Sequence, residues 1–121
     1  MSRIVVAEDD RAIARLIKFK LERGGYQVDV AEDGAKAVEE INKARPDLVL
    51  LDVMMPVLNG YQVLKKIKED QGLKDIPVIM LTARGQEKDI VKGIEMGSLD
   101  YIVKPFRPAE LLARVNRVIK R

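Results

Sequence analysis

Apolar residues in this chain recur in two modes, and the modes alternate five times along its length. Short apolar runs bounded by polar or turn residues stand at IVVA (4–7), YQVDVA (26–31), DLVLLD (47–52), VIMLT (78–82) and LDYIV (99–103). Runs of this length, rich in β-branched residues, predict strands. Helical spacing takes over between them. Ile13, Leu16, Ile17 and Leu21 share one face of a first helix, which Gly24-Gly25 stops. A second helix opens at Asp33 as N-cap and carries Val38 and Ile41 inward before Pro46. The third follows Asn59-Gly60 with Val63, Leu64 and Ile67, and the fourth has Val91 and Ile94 inward and ends at Gly97. Pro108 starts a fifth that presents Leu111, Leu112, Val115, Val118 and Ile119.

Strict alternation of strand and helix with short connections predicts an α/β fold, a parallel sheet covered by helices on both sides. YQVDVA alternates and LDYIV carries an acid, which suits sheet edges, whereas IVVA, LVLL and VIML read as central strands. With right-handed crossovers this gives a doubly wound, flavodoxin-like (βα)5 sheet in the order 2-1-3-4-5. Nothing resembles a linker or a low-complexity tract, so residues 1–121 read as one domain, a size that can bury a real core.

Composition narrows the chemistry. Without cysteine there is no disulfide, thiol catalysis or thiolate metal site, and without histidine there is no imidazole base and no usual zinc site. What remains is carboxylates, lysine, hydroxyls and a hard, oxygen-preferring metal. No apolar run approaches the roughly 20 residues of a membrane span, and the N-terminus has no signal-peptide pattern, which suits a cytoplasmic protein. The net charge of +3 is uneven, with Lys104, Arg107, Arg114, Arg117, Lys120 and Arg121 near the C-terminus set against Glu110 alone. With Phe106 the single aromatic residue among these charges, too few for a base-stacking platform, this reads as a solvated helix face before it reads as a nucleic-acid surface.

In doubly wound sheets the functional crevice lies beyond the C-terminal strand ends, near the switch between strands 1 and 3. Strand 1 ends in Glu8-Asp9-Asp10, strand 3 in Asp52, strand 4 in Thr82 and strand 5 in Lys104-Pro105. Asp10 is as well placed to cap the first helix as to join the crevice. Carboxylates gathered at one point raise one another's pKa unless a cation holds them, and an all-oxygen donor set favours magnesium. Metal, lysine and hydroxyl around one carboxylate are the equipment of phosphoryl transfer, in which an aspartate can itself be the nucleophile. No GxxxxGK[ST] loop follows strand 1, so nucleotide binding of the P-loop kind is disfavoured.

The motifs EDD after strand 1, LLDVMMPVLNG around Asp52, MLTA at strand 4 and DYIVKPF at strand 5 resemble the receiver domain of two-component response regulators, the CheY-like family, over essentially the whole chain. The resemblance implies Asp52 as phosphoacceptor and Mg2+ held by Asp9, Asp52 and the backbone carbonyl of Met54, with Glu8 acting through water. It implies Thr82 and Lys104 as contacts of the phosphoryl group, Thr82 and Tyr101 as a coupled switch, Ala83 as the small position that admits a donor, and a cis peptide before Pro105. The phosphoryl group would come from a sensor histidine kinase or a histidine phosphotransfer protein, with self-catalysed transfer and dephosphorylation and no enzyme activity beyond that. Met54 and Arg84, two residues beyond Asp52 and Thr82, are expected to flank the phosphoryl group and limit water.

The ending DYIVKPF…ELLARVNRVIKR looks most like receivers of winged-helix transcription factors, which pair through helix 4, strand 5 and helix 5. Asp100, Glu110 and Arg114 match that group's inter-subunit charges, but Ile90 stands where a basic partner for Glu110 is expected and, as an exposed residue, would add apolar contact. Nucleic acid would be contacted only through an output domain outside these residues. A non-phosphorylated interaction module is the alternative, and an aspartyl phosphohydrolase is disfavoured because Met54 stands where its general acid belongs.

Overall fold

The computed structural model describes residues 1–119. Five strands and five helices alternate: β1 Arg3–Ala7, α1 Arg11–Arg23, β2 Gln27–Ala31, α2 Gly34–Ala44, β3 Leu48–Asp52, α3 Gly60–Glu69, β4 Val78–Ala83, α4 Glu87–Glu95, β5 Asp100–Lys104 and α5 Pro108–Ile119. The strands form one parallel sheet in the order β2-β1-β3-β4-β5, as the apolar pattern predicts, with β2 and β5 at the edges.

Every residue of β3 is buried, because both faces of the sheet are covered. Successive side chains point to opposite faces. Val5, Ala7, Val49 and Leu51 therefore pack with Ala37 and Ile41 of α2 and Val63, Leu64 and Ile67 of α3. Ile4, Val6, Leu48, Leu50, Ile79 and Leu81 pack on the other side with Ile17 and Leu21 of α1 and Leu111 and Val115 of α5. These two apolar layers hold the strand ends still. Among the described residues no helix is long and apolar enough to cross a membrane.

Two helices depart from the expected orientation. In α1 the inward face is Ala14, Ile17 and Leu21, while Leu16 is exposed. In α4 the difference is larger: Val91 is 56% exposed and Ile94 51%. Gly93 supplies the reason. Among the described side chains of α4 it is the buried one, and a Cβ there would already lie 3.4 Å from Met80 Cγ. The helix thus approaches β4 on its small residue, and its apolar stripe turns away from the sheet. Ile90 is half-buried rather than exposed.

The expected end signals are in place. Asp33 accepts from the Lys36 N–H at 2.8 Å to cap α2, and Gly25 adopts φ 98° after α1. Asn59 and Gln62 form a reciprocal capping box at the start of α3, at 2.9 and 2.8 Å. Of the basic residues near the C-terminus, Lys120 and Arg121 lie outside the described residues. Arg114 and Arg117 both bond the Asp100 carboxylate, at 3.2 and 2.8 Å, and Arg114 reaches Glu110 at 3.2 Å. The Asp100–Arg114–Glu110 charges are thus already paired within one chain.

Candidate functional site

The parallel register brings the C-terminal ends of β1, β3, β4 and β5 to one edge, and the strand-end residues converge there. One carboxylate oxygen each from Glu8, Asp9 and Asp52 lie within 4.8 Å of one another. Asp10 stands apart from them and caps α1, accepting from the Ala12 and Ile13 N–H groups at 3.0 Å each. Asp10 borders the cavity above Asp52, but its carboxylate is spent on the cap.

Glu8 and Asp52 are buried, Asp52 to 3% exposure, and Asp9 is exposed. Lys104 Nζ reaches Glu8 Oε1 at 3.1 Å and Asp52 Oδ1 at 3.2 Å, so one ammonium bridges two acids. The direct Glu8–Lys104 bond was not legible from sequence, since it depends on side-chain rotamers across 96 positions. Glu8 Oε2 also accepts the Asp10 N–H at 3.1 Å. Burial first, and the neighbouring Glu8 charge second, push the Asp52 carboxyl up to about 7 despite the opposing pull of Lys104. Burial draws the Lys104 pKa down, but the Asp52 and Glu8 carboxylates together outweigh it and leave it raised. Such a crowd of acids fits a divalent cation: three carboxylates, one already exposed to solvent, form a hard oxygen donor set suited to Mg2+.

The loop after β3 is held close. The Gly60 N–H donates to Val53 O at 2.8 Å, and a Cβ at this position would sit 2.4 Å from Asp52 O. Met54, on this loop, is 71% exposed at the mouth of a cavity of about 570 Å³ above Asp52. Thr82 follows on β4 with its Oγ1 buried and lacking a hydrogen-bond partner among the described residues. A buried hydroxyl left unpaired costs roughly 1–3 kcal/mol, so the position is poised for an acceptor. The Lys104–Pro105 peptide is cis. Tyr101 is half-buried beneath Arg114, whose guanidinium carbon lies 5.8 Å from the ring centroid.

The far wall of the cavity holds Ala83, Gln86 and Asp89. Arg84 does not line it; that residue borders a separate space of about 60 Å³ with Ile90 and Val103. Gln86 and Asp89 carry no apolar periodicity, and only the path of the β4–α4 loop brings them to the site. A larger groove of about 690 Å³ between α1 and α2 is lined by acids and bases in near balance, with Lys36 already bonded to Glu32 at 2.8 Å.

A doubly wound sheet whose crevice gathers acids, a hydroxyl and a lysine around one buried aspartate defines a signalling domain of the receiver class. The chain belongs to the response regulator receiver domain family, which matches residues 4–116. It is the receiver domain of a two-component response regulator. It is 49% identical over 119 residues to the phosphate regulon transcriptional regulatory protein PhoB of Escherichia coli K12, covering 98% of this chain and 52% of that protein. The Francisella response regulator 1452 receiver domain superposes with a TM-score of 0.92 at 39% identity, covering 100% of this chain and 98% of that one. The chemotaxis response regulator CheY4 of Vibrio cholerae does so at 0.92 and 32%, covering 98% of each chain. The chain spans about half the length of the curated relatives it matches.

Proposed function

We propose that Asp52 is the phosphoacceptor of this receiver and that Glu8, Asp9, Thr82 and Lys104 serve its phosphorylation. The observation that carries this reading is the pairing of a buried nucleophile with an unpaired buried hydroxyl: Asp52 is bonded to Lys104 at 3.2 Å, and Thr82 Oγ1 has no partner among the described residues. Asp9, Asp52 and the Met54 carbonyl would hold Mg2+ directly, and Glu8 through water. When bound, the ion supplies the positive charge that keeps these acids ionised and offsets the charge of the phosphoryl oxygens.

The chain's own groups do the rest. An Asp52 Oδ attacks phosphorus on a phosphohistidine of a sensor kinase or phosphotransfer protein; the P–N bond breaks and an acyl phosphate forms. Lys104 follows the new charge, and Thr82 donates its hydroxyl to a phosphoryl oxygen. Tyr101 then turns inward into the space Thr82 leaves, which changes the face made by α4, β5 and α5. Transfer and later hydrolysis are self-catalysed, and the setting is cytoplasmic. Because the relatives are transcriptional regulators, the changed face would act on a DNA-binding output outside these residues.

Mass spectrometry of the intact chain after incubation with a small-molecule acyl phosphate and Mg2+ tests the reading. A gain of one phosphoryl group is expected, and it is absent in Asp52→Asn. An equal gain in that variant, or none in either protein, supports the constitutive interaction module instead.

Exposed Val91, Ile94 and Leu99 favour self-association of the phosphorylated form through α4, β5 and α5. In such a dimer the Asp100–Arg114–Glu110 charges would exchange their partners across the interface. Sedimentation should show a dimer on phosphorylation, and Ile94→Asp should keep the phosphorylated chain monomeric. A dimer that forms undiminished in that variant would move the contact elsewhere.

A further inference from the structure

Helix α4 is secured unevenly along its length. Its C-terminal end is tied to the sheet by main-chain bonds: the Ser98 N–H donates to Gly93 O at 2.8 Å, and the Leu99 N–H to Val78 O at 2.8 Å. At the other end the N-cap residue, Gln86, makes no side-chain capping bond, and Val91 and Ile94 of the helix face water. What reaches this half from α3 is Tyr61.

Tyr61 is the second residue of α3 and directly follows Gly60, which lies against the main chain of Asp52. Its half-buried ring packs on the apolar cluster that α2 and α3 share with the sheet. Its hydroxyl extends to the first turn of α4 and donates to the Asp89 carbonyl at 3.1 Å. Lys92 stands three residues further on the same helical face, and its Nζ lies 4.3 Å from the centroid of the Tyr61 ring. Burial, and then the Asp89 carboxylate beside it, raise the pKa of the Tyr61 hydroxyl, which stays protonated and able to donate. One side chain thus grips two successive turns of α4, by a hydrogen bond at its edge and a cation over its face. Accepting a phosphoryl group requires neither contact.

The gripped turn is also joined to the site through β4. The Gln86 N–H donates to Ala83 O at 3.2 Å and the Asp89 N–H to Gln86 O at 2.9 Å. From Thr82 to Asp89 the chain is therefore a pair of closed turns, with Gly85 at φ 86° inside the first. A shift of Thr82 toward a phosphoryl group pulls on Asp89, while Tyr61 stays fixed to the end of β3 through Gly60. We propose that Tyr61 is a latch that holds α4 in its resting place and is released when Asp52 is phosphorylated, the Asp89 carbonyl and the Lys92 ammonium leaving it together. The release rests on phosphorylation at Asp52; the grip in the resting chain does not.

Amide hydrogen exchange of the whole chain, read residue by residue without a phosphodonor, tests the grip. Tyr61→Phe keeps the ring and removes the hydroxyl. It should speed exchange at residues 90–94 roughly fivefold while α1 stays within about twofold of wild type. Lys92→Met keeps the stem, removes the charge and should speed exchange there about threefold. Tyr61→Leu removes both contacts, so adding Lys92→Met to it should change little further. Exchange in α4 of Tyr61→Phe at the wild-type rate overturns the latch. Acceleration spread equally over α1 and α4 also overturns it, because that marks a general loosening of the fold. The comparison is then repeated on chains held phosphorylated by excess small-molecule acyl phosphate and Mg2+, where the difference between Tyr61→Phe and wild type should fall below about twofold. A difference that persists undiminished overturns the release. A wild-type chain that gains no phosphoryl mass overturns the Asp52 reading and the release with it, and the exchange measured without donor still decides the grip.

Discussion

Replacing Asp52 by Asn is expected to stabilise the metal-free protein at neutral and alkaline pH. Burial and the Glu8 charge raise the Asp52 pKa from 3.8 to about 7, so the folded state holds a proton that the unfolded chain releases. The sign follows directly. Below about pH 4 both states are protonated and there is no penalty. As pH rises through about 7 the folded protein must carry a buried carboxylate, and that stability is lost. The full shift would correspond to roughly 4 kcal/mol at about 1.36 kcal/mol per pK unit. Water reaching the open cavity and readjustment of Lys104 reduce this to about 2 kcal/mol. Urea denaturation in chelator should therefore show the Asn variant ahead of wild type at pH 8, with the gap shrinking as pH falls and closing only at about pH 3, where both states are protonated. Mg2+ should narrow the gap by stabilising wild type more. A difference that does not change with pH would show that the acidic cluster is not the source.

The second large effect is expected at Gly60. Alanine is the better helix former by about 1 kcal/mol, and Gly60 is the first residue of α3, so propensity alone predicts stabilisation. Packing predicts the reverse. A Cβ would stand 2.4 Å from Asp52 O and 2.9 Å from Val53 Cα, and both are main-chain atoms with nowhere to go. Relief requires α3 or the end of β3 to move, at a cost of about 3 kcal/mol or more. Gly60→Ala should thus lose about 2–3 kcal/mol in urea denaturation. It should also take up phosphoryl groups more slowly, because Asp52 moves with its backbone. A variant as stable as wild type would mean that the loop yields easily.

Those two residues also indicate what could be read without coordinates. That Asp52 would lie in the crevice was legible because a strand buried on both faces ends there, and because parallel sheets gather their C-terminal strand ends at one edge. Thr82 and Lys104 follow from the same rule. The strand order was legible from which runs alternate and which do not. Periodicity locates the apolar side of a helix but not the side that meets the sheet, and α4 shows the difference: Gly93 packs inward and Val91 and Ile94 face water. Leu16 of α1 is displaced in the same way by Ala14. Gln86 and Asp89 were out of reach for another reason, since no pattern in the sequence encodes the path of the β4–α4 loop.

The inverted packing of α4 bears on how the protein fluctuates. Most of a helix's stability comes from an apolar face sunk into the core, and α4 has put two of its branched residues on the outside. Its capping residue adds no side-chain bond. Such a helix can lift or slide without opening the rest of the fold, and its amides should exchange with solvent before those of α1 or α3. A rearrangement of a few ångströms at Thr82 then has little resistance to overcome in the element directly downstream. The energy that natural selection withheld from anchoring α4 is what leaves it free to report on its neighbour.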